Sequence, residues 1–193
     1  FLMKKILFLF LAACFFFSCE KETIVIPQQH AGRTVLAFFW ADNSLNSSLR
    51  NNIQTMMQGL QAMKDSAALL VYWDGEASDI SWPEPCIVEY VTNGQGGINS
   101  LSKGTIDAMM ADKNTSIYDL IGIGNIRKKY PPQTSTEKTV MQTVIGDMMS
   151  AYPSESYGII FGSHGSGWLP TITGTRSIGQ DGGRYSSDTA LIP

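Results

Sequence analysis

Residues 157–168 are the part of the chain best suited to chemistry, because an apolar strand there leads into a glycine-rich turn that carries His164. The chain has two histidines, and the other, His30, lies in a polar N-terminal segment. Histidine is the usual general acid or base near neutral pH, so the sequence predicts that role for His164. No residue between His164 and position 193 is a convincing nucleophile, so the histidine lacks an obvious partner.

The glycines around His164 suit a backbone that approaches a ligand closely. Gly162, Gly165 and Gly167 permit conformations that bulkier residues forbid. The N–H of Gly165 is therefore predicted to point at a developing oxyanion, which a preorganised donor stabilises strongly. Two plainer interpretations compete with this one. His164 could be a turn residue that only satisfies hydrogen bonds, or the glycines could cradle a phosphate, although the lysine of a P-loop is missing.

The sequence predicts neither a metal centre nor an organic cofactor. One histidine and scattered aspartates do not show the ligand spacing of a zinc site. The loop at residues 181–183 could bind calcium weakly, but it lacks an EF-hand pattern. Asp42 and Asp74 are predicted to be helix-capping and turn residues rather than catalytic acids. Cys86 begins a predicted strand, and it is predicted to be a buried structural thiol because that is the commoner case for a cysteine in a folded domain.

The elements that would position these residues alternate between strands and helices. Apolar runs rich in β-branched and aromatic residues predict strands at 33–41, 67–73, 86–91 and 156–162. Apolar residues at helical spacing predict helices at 44–64 and 135–151, whereas 93–113 are weakly helical and 118–130 fit neither pattern. The predicted fold is therefore α/β, a mostly parallel sheet flanked by helices. Ligands bind beyond the carboxyl ends of such strands, where Asp42, Asp74 and His164 would lie.

The N-terminus has the residue order of a targeting signal. Lys4 and Lys5 precede an apolar stretch at 6–17 that is too short to span a membrane comfortably. It ends in Ser18-Cys19, which resembles a bacterial lipoprotein signal with Cys19 as the lipidated residue; a plain secretory signal is the alternative. The expected division is a signal peptide (1–18), a tether (19–32) and one domain (33–193). The expected location is the cell envelope, at the outer-membrane surface or in the periplasm.

Composition limits the expected partners. Hydrophobic residues make up 44% of the chain and charged residues 16%, which is typical of a globular domain rather than a disordered one. The net charge is −3 and no basic run occurs, so nucleic acid is not an expected partner. A membrane, reached through the lipid anchor, is an expected one.

Four segments together resemble the clostripain family of cysteine peptidases, which has a caspase-like fold. Residues 34–45 resemble the family's first strand and its Ala-Asp-Asn-x-Leu turn, and residues 69–75 resemble its second strand. Residues 157–168 resemble the strand and the His-Gly-x-Gly-Trp signature around its catalytic histidine, and residues 177–181 resemble the segment beyond. The order and spacing of the four segments are more specific than any one of them.

The resemblance implies a role for each matched residue. His164 would be the acid–base member of a Cys/His dyad, and the N–H of Gly165 would contribute to the oxyanion hole. The family cleaves peptides or proteins after arginine or lysine, and many members cut a loop between their histidine and cysteine. Arg176 and Arg184 lie in the corresponding loop, either as self-cleavage points or as ordinary solvated arginines.

The resemblance also implies parts that would follow position 193. The family's nucleophilic cysteine, and the acidic residues that select arginine or lysine, come after the next strand. The chain is therefore expected to supply the histidine half of the enzyme, to be incomplete on the C-terminal side of its sheet, and to be inactive alone. The alternative is a non-catalytic surface lipoprotein that binds peptide or glycan with a degenerate peptidase fold.

Overall fold

The computed structural model describes residues 32–75, 84–92, 94–111, 116–164, 180–181 and 184–185. The strands of its sheet are β1 (Arg33–Ala41), β2 (Ala67–Gly75), β3 (Cys86–Val91), β4 (Asn125–Lys129) and β5 (Tyr157–Gly162). The helices are α1 (Asn46–Ala62), α2 (Lys103–Met110), α3 (Ile117–Ile123) and α4 (Lys138–Ala151). A short antiparallel pair consists of β6 (Gln180–Asp181) and β7 (Arg184–Tyr185).

The sheet is mixed, with the strand order β4-β3-β2-β1-β5. β1 pairs in parallel with β2 and β5, whereas β3 is antiparallel to both β2 and β4. Four of these five strands therefore run in one direction and β3 runs against them. The α/β class is confirmed, and the reversed strand is a feature that the sequence did not indicate. The connection from β2 to β3 comprises residues 76–85, which is shorter than the dozen or so residues of a parallel crossover.

Both faces of β1 are buried, which explains its nearly continuous apolar sequence. One face packs under α1, whose buried residues recur at helical spacing: Leu49, Ile53, Met57 and Leu60. The opposite face carries Leu36, Phe38 and Trp40, and it packs against α4 through Met141, Val144 and Met148. Helices thus cover the sheet on both sides, with β1 and β2 in the middle of the core.

Two segments differ from the sequence-based expectation. Residues 118–130, which fit neither pattern, form most of α3 and all of β4; α3 begins with a capping box between Ser116 and Asp119. The helix predicted at 135–151, with Ser135 as its first residue, begins too early. α4 begins at Lys138, and the Ser135 side chain contacts Asp74 and Tyr72 instead.

In the part of the chain that the structure describes, no helix combines the length and apolarity needed to cross a membrane. The predicted signal peptide, the tether and Cys19 lie outside the described residues. Their assignment stays a prediction from the sequence.

Candidate active site

His164 lies at the carboxyl edge of the sheet. β5 ends at Gly162, and His164 follows two residues later as a partly buried side chain. β1 and β2 run parallel to β5 and end at the same edge, at Ala41 and Gly75. The turn between β1 and α1, residues 42–45, is therefore brought next to the histidine.

Two side chains of this turn contact the histidine segment across 120 residues of sequence. Ser44 Oγ lies 2.9 Å from His164 Nε2, within hydrogen-bond distance. Asn43 Nδ2 donates to Ser163 Oγ at 3.3 Å. The β1–α1 turn thus holds the end of β5 at two consecutive residues, one of which is the predicted catalytic histidine.

Hydrogen bonds to the backbone give this turn a defined shape. Asn43 Nδ2 also donates to the Trp40 carbonyl at 2.6 Å, and Asn43 Oδ1 accepts from the Leu45 N–H at 2.9 Å. Asn46 Nδ2 donates to the Ala41 carbonyl at 3.1 Å. Asparagine is favoured in turns because its short amide can bond nearby backbone groups in this way. Ser44 therefore lies in a turn that side-chain hydrogen bonds from Asn43 and Asn46 hold on both sides of it.

A chain of hydrogen bonds, partly buried at Gln133 and fully buried beyond it, lies at the same edge, on the α4 face of the sheet. Gln133 Nε2 donates to Tyr72 Oη at 2.9 Å, and Tyr72 Oη lies 2.6 Å from Ser135 Oγ. Ser135 Oγ in turn donates to Asp74 Oδ2. Asp74 is 5% exposed and Ser135 is fully buried. Buried carboxylates are stable only with such partners, so Asp74 anchors the loop before α4 to the end of β2.

Cys86 also lies at the carboxyl edge, because β3 runs antiparallel to β2. The register places Gly162, Phe39, Trp73 and Cys86 side by side on four neighbouring strands. Three interstrand spacings separate Cys86 from Gly162, a distance of about 14 Å. Cys86 begins its strand, as the sequence predicts, and the reversal of β3 places that end of the strand at the carboxyl edge. It is still a poor nucleophile, because it is fully buried and out of hydrogen-bond reach of His164.

The structure places some of the predicted site residues and not others. Asp42, Asp74 and His164 do lie at one edge of the sheet, as the strand pattern predicts. Arg184 belongs to β7, whereas Gly165 and Arg176 lie outside the described residues.

The contacts that Asn43 and Ser44 make with residues 163 and 164 are not predicted from the sequence. The sequence predicts a capping or turn role for Asp42, but it gives no signal that Asn43 and Ser44 contact residues 163 and 164. Leu45 precedes α1 without a side-chain cap, so Asn43 and Ser44 serve the turn and the histidine segment instead.

No group of three or more His, Cys, Asp or Glu side chains that could hold a metal ion occurs among the described residues. An apolar groove of about 320 Å³ lies at the opposite edge of the sheet, where β1 and β2 begin; its lining includes Arg33, Val35, Leu60, Ala67 and Ile160. Because β1 is nine residues long, the groove is far from His164.

Comparison with known proteins connects the chain to one group. A sequence profile of the clostripain family matches residues 37–190, which include the turn after β1 and the segment around His164. No curated protein sequence matches the chain significantly.

Three solved structures share the fold. A cysteine protease from B. fragilis is 26% identical with a TM-score of 0.50, over 73% of this chain and 95% of that one. A secreted cysteine protease from Bacteroides thetaiotaomicron, solved with an irreversible peptide inhibitor, is 27% identical with a TM-score of 0.52, over 82% of this chain and 36% of that one. A clostripain from the same species, solved with a peptide inhibitor, is 16% identical with a TM-score of 0.50, over 75% and 99% of the two chains, and supports the fold alone.

Proposed function

The chain belongs to the clostripain family of cysteine peptidases. We propose that it supplies the histidine half of an endopeptidase that cleaves after arginine or lysine. The observation that carries the proposal is the place of His164. It stands at the carboxyl edge of the sheet, partly buried and bonded to Ser44. Open α/β sheets bind their ligands at this edge.

In the proposed mechanism His164 acts as base and then as acid. It accepts the proton of a cysteine thiol, and the electron pair of the broken S–H bond stays on sulfur. The thiolate attacks the scissile carbonyl, and His164 returns the proton to the leaving amine as the acyl-enzyme forms. Water then hydrolyses the acyl-enzyme. We assign the N–H of Gly165 to the oxyanion that develops on the carbonyl, and the mechanism uses no metal or organic cofactor.

The nucleophile in this proposal is a cysteine that the described residues do not include. Cys86 is the cysteine among them, and it is buried about 14 Å from the end of β5. The carboxylates that select arginine or lysine are likewise assigned outside the described residues. Asp74 is a poor candidate for that role, since it is 5% exposed and bonded to Ser135.

The proposal is tested on the parent protein, expressed from its full gene. We expect hydrolysis of peptide substrates with arginine or lysine before the cleaved bond, and little hydrolysis when alanine replaces that residue. His164→Ala should abolish turnover, because the thiol loses its base. His30→Ala is the matched control, since it removes the other histidine of this chain and should leave the rate unchanged.

Labelling with an electrophilic peptide that ends in arginine separates the two candidate functions. Modification of a cysteine other than Cys86 supports the peptidase. A folded parent protein that neither hydrolyses these substrates nor becomes labelled would contradict the proposal and favour the alternative, a non-catalytic lipoprotein that binds peptide or glycan.

Self-cleavage is a second part of the proposal, and Arg176 and Arg184 are its candidate sites. Both residues lie between His164 and the segment that would carry the nucleophile. Mass spectrometry of the purified parent protein should find a new chain end after one of them. Alanine at that arginine should leave the chain intact, and a chain that stays uncut in the wild type would contradict this part alone.

The third part concerns the location of the protein. We propose that Cys19 is lipidated and holds the protein in the cell envelope through the tether that follows. Cys19→Ala should stop incorporation of a labelled fatty acid and release the protein from the membrane fraction, whereas Cys14→Ala, a change inside the signal, should do neither. Unchanged incorporation in Cys19→Ala would show that the anchor is elsewhere.

A further inference from the structure

We infer that Ser44 is a positioning residue for His164, and that its hydroxyl accepts a hydrogen bond from Nε2–H so that Nδ1 is the nitrogen that exchanges a proton with the nucleophile. The inference rests on the acid–base role of His164 in the proposed function. Its structural basis is the 2.9 Å contact between Ser44 Oγ and His164 Nε2.

The direction of this hydrogen bond follows from the states that the histidine must pass through. A hydroxyl can donate or accept, whereas an imidazolium has two N–H donors and no acceptor. A bond that persists while His164 holds the extra proton is therefore one in which Ser44 accepts. The same arrangement serves the neutral ring if its single proton is on Nε2. Ser44 then needs no reorganisation when the proton moves.

The other ring nitrogen, Nδ1, is therefore the one that takes up and gives back the proton during the reaction. Nε2 keeps its proton and its bond to Ser44 throughout. The thiol proton is transferred to the lone pair of Nδ1, and the S–H electron pair remains on sulfur. Nδ1–H later gives that proton to the nitrogen of the leaving amine.

Ser44 is suited to this role because both of its neighbours are fixed. The Asn43 side chain forms hydrogen bonds with the Trp40 carbonyl, the Leu45 N–H and Ser163 Oγ. The helix that follows is anchored in the core by Leu49, which is 3% exposed. The Asn43–Ser163 hydrogen bond holds the side chain of the residue just before the histidine, and the Ser44 hydrogen bond then limits rotation of the His164 ring. Orientation of an acid–base group in this way raises the fraction of molecules ready to react.

Kinetics of the parent protein test the role. Ser44→Ala should lower kcat about 5- to 10-fold, the effect expected from loss of one hydrogen bond, and leave KM nearly unchanged. Ser44→Thr keeps the hydroxyl and should recover most of the rate. Ser48→Ala is the matched control, because Ser48 is an exposed serine in the first turn of α1. This variant should leave kcat and KM unchanged. Equal rates for Ser44→Ala and wild type would overturn the inference.

A spectroscopic measurement tests the contact independently of activity. The ring ¹⁵N signals of His164 are those that disappear in His164→Ala. In the neutral wild type they should report the Nε2–H tautomer, and Ser44→Ala should shift the tautomer ratio towards Nδ1–H, while Ser48→Ala should not. A dominant Nδ1–H tautomer in the wild type, or signals unchanged in Ser44→Ala, would overturn the inference. If instead His164→Ala keeps full activity, the proposed function fails, and the spectra still decide whether Ser44 holds the ring.

Discussion

Gly162 of β5 lies in register with Phe39 of β1, and the ring of Phe39 occupies the space that a side chain at position 162 would need. A Cβ on Gly162 would lie 2.6 Å from Phe39 Cδ1 and 2.7 Å from Leu49 Cδ2. Both neighbours are buried in a close-packed core, so neither can move aside easily. The strand end that leads to His164 therefore packs directly on the core beneath α1.

This contact predicts that Gly162→Ala destabilises the protein and displaces the histidine. Overpacking of this kind lowers the free energy of unfolding by about 1–3 kcal/mol, and activity of the parent protein should fall with it. Denaturant unfolding and peptide hydrolysis measure the two effects. Gly158→Ala is the matched control, because it lies on the same face of the same strand with no atom within 4 Å of its added Cβ. Equal losses in the two variants would contradict the argument.

Cys86 provides a second prediction, because burial and distance exclude it as the nucleophile. Cys86→Ala removes a fully buried sulfur and should cost about 1 kcal/mol of stability, with kcat of the parent protein unchanged. The hydrolysis rate is compared at a temperature where both proteins are fully folded. Loss of activity in a folded Cys86→Ala protein would refute the assignment of the nucleophile to another cysteine.

The buried hydrogen bonds at the end of β2 predict a larger loss at Ser135. Ser135→Ala removes a donor to Asp74 and a partner of Tyr72, and a buried polar group deprived of a hydrogen bond costs about 1–3 kcal/mol. Denaturant unfolding should show that loss. Ser150→Ala on the exposed side of α4 should change stability by less than about 0.5 kcal/mol. A Ser135→Ala protein as stable as Ser150→Ala would mean that these bonds contribute nothing net.

Glu89 of β3 predicts a pH-dependent stability. Burial raises the pKa of this carboxyl above its ordinary value of 4.5, although Arg127 and a hydrogen bond from Asn125 oppose the shift. The folded state therefore holds the proton more tightly than the unfolded state. The contribution of Glu89 to the free energy of unfolding is fully present below pH 4.5 and is lost as the pH rises through the raised pKa. Glu89→Gln, which cannot ionise, should gain stability relative to wild type as the pH increases from about 4 to 7.

Asp147 of α4 is the matched comparison, because its pKa shift has the opposite sign. Burial opposes ionisation of this carboxyl, but hydrogen bonds from Lys128 and Tyr130 outweigh it and lower the pKa below 3.8. The contribution of Asp147 to the free energy of unfolding is present above pH 3.8 and is lost as the pH falls through the lowered pKa. Asp147→Asn should thus be less stable than wild type at neutral pH and approach it in acid. Thermal unfolding measures the stability of both variants and of wild type across this pH range. If the stabilities of Glu89→Gln and Asp147→Asn, each relative to wild type, change with pH in the same way, both assignments are contradicted.

Local pattern was enough to predict most of the elements and the residue at the centre of the site. The apolar runs at β1, β2 and β5 and the helical spacing in α1 are signals within single segments, and the structure has these elements close to the predicted bounds. β4 was missed for a physical reason: it reads Asn125-Ile126-Arg127-Lys128-Lys129, and all five residues are exposed. A polar strand at a sheet edge lacks the apolar alternation on which such predictions depend.

The sequence by itself determined the α/β class, the family and the position of His164 after an apolar strand, because these depend on residue order over short stretches. The tertiary structure decided which segments meet. Only strand pairing shows that β3 is reversed and that Cys86 lies at the carboxyl edge. Only the packing of β1 against β5 brings Ser44 to His164 across 120 residues, since side-chain contacts at that separation depend on the register of the whole sheet.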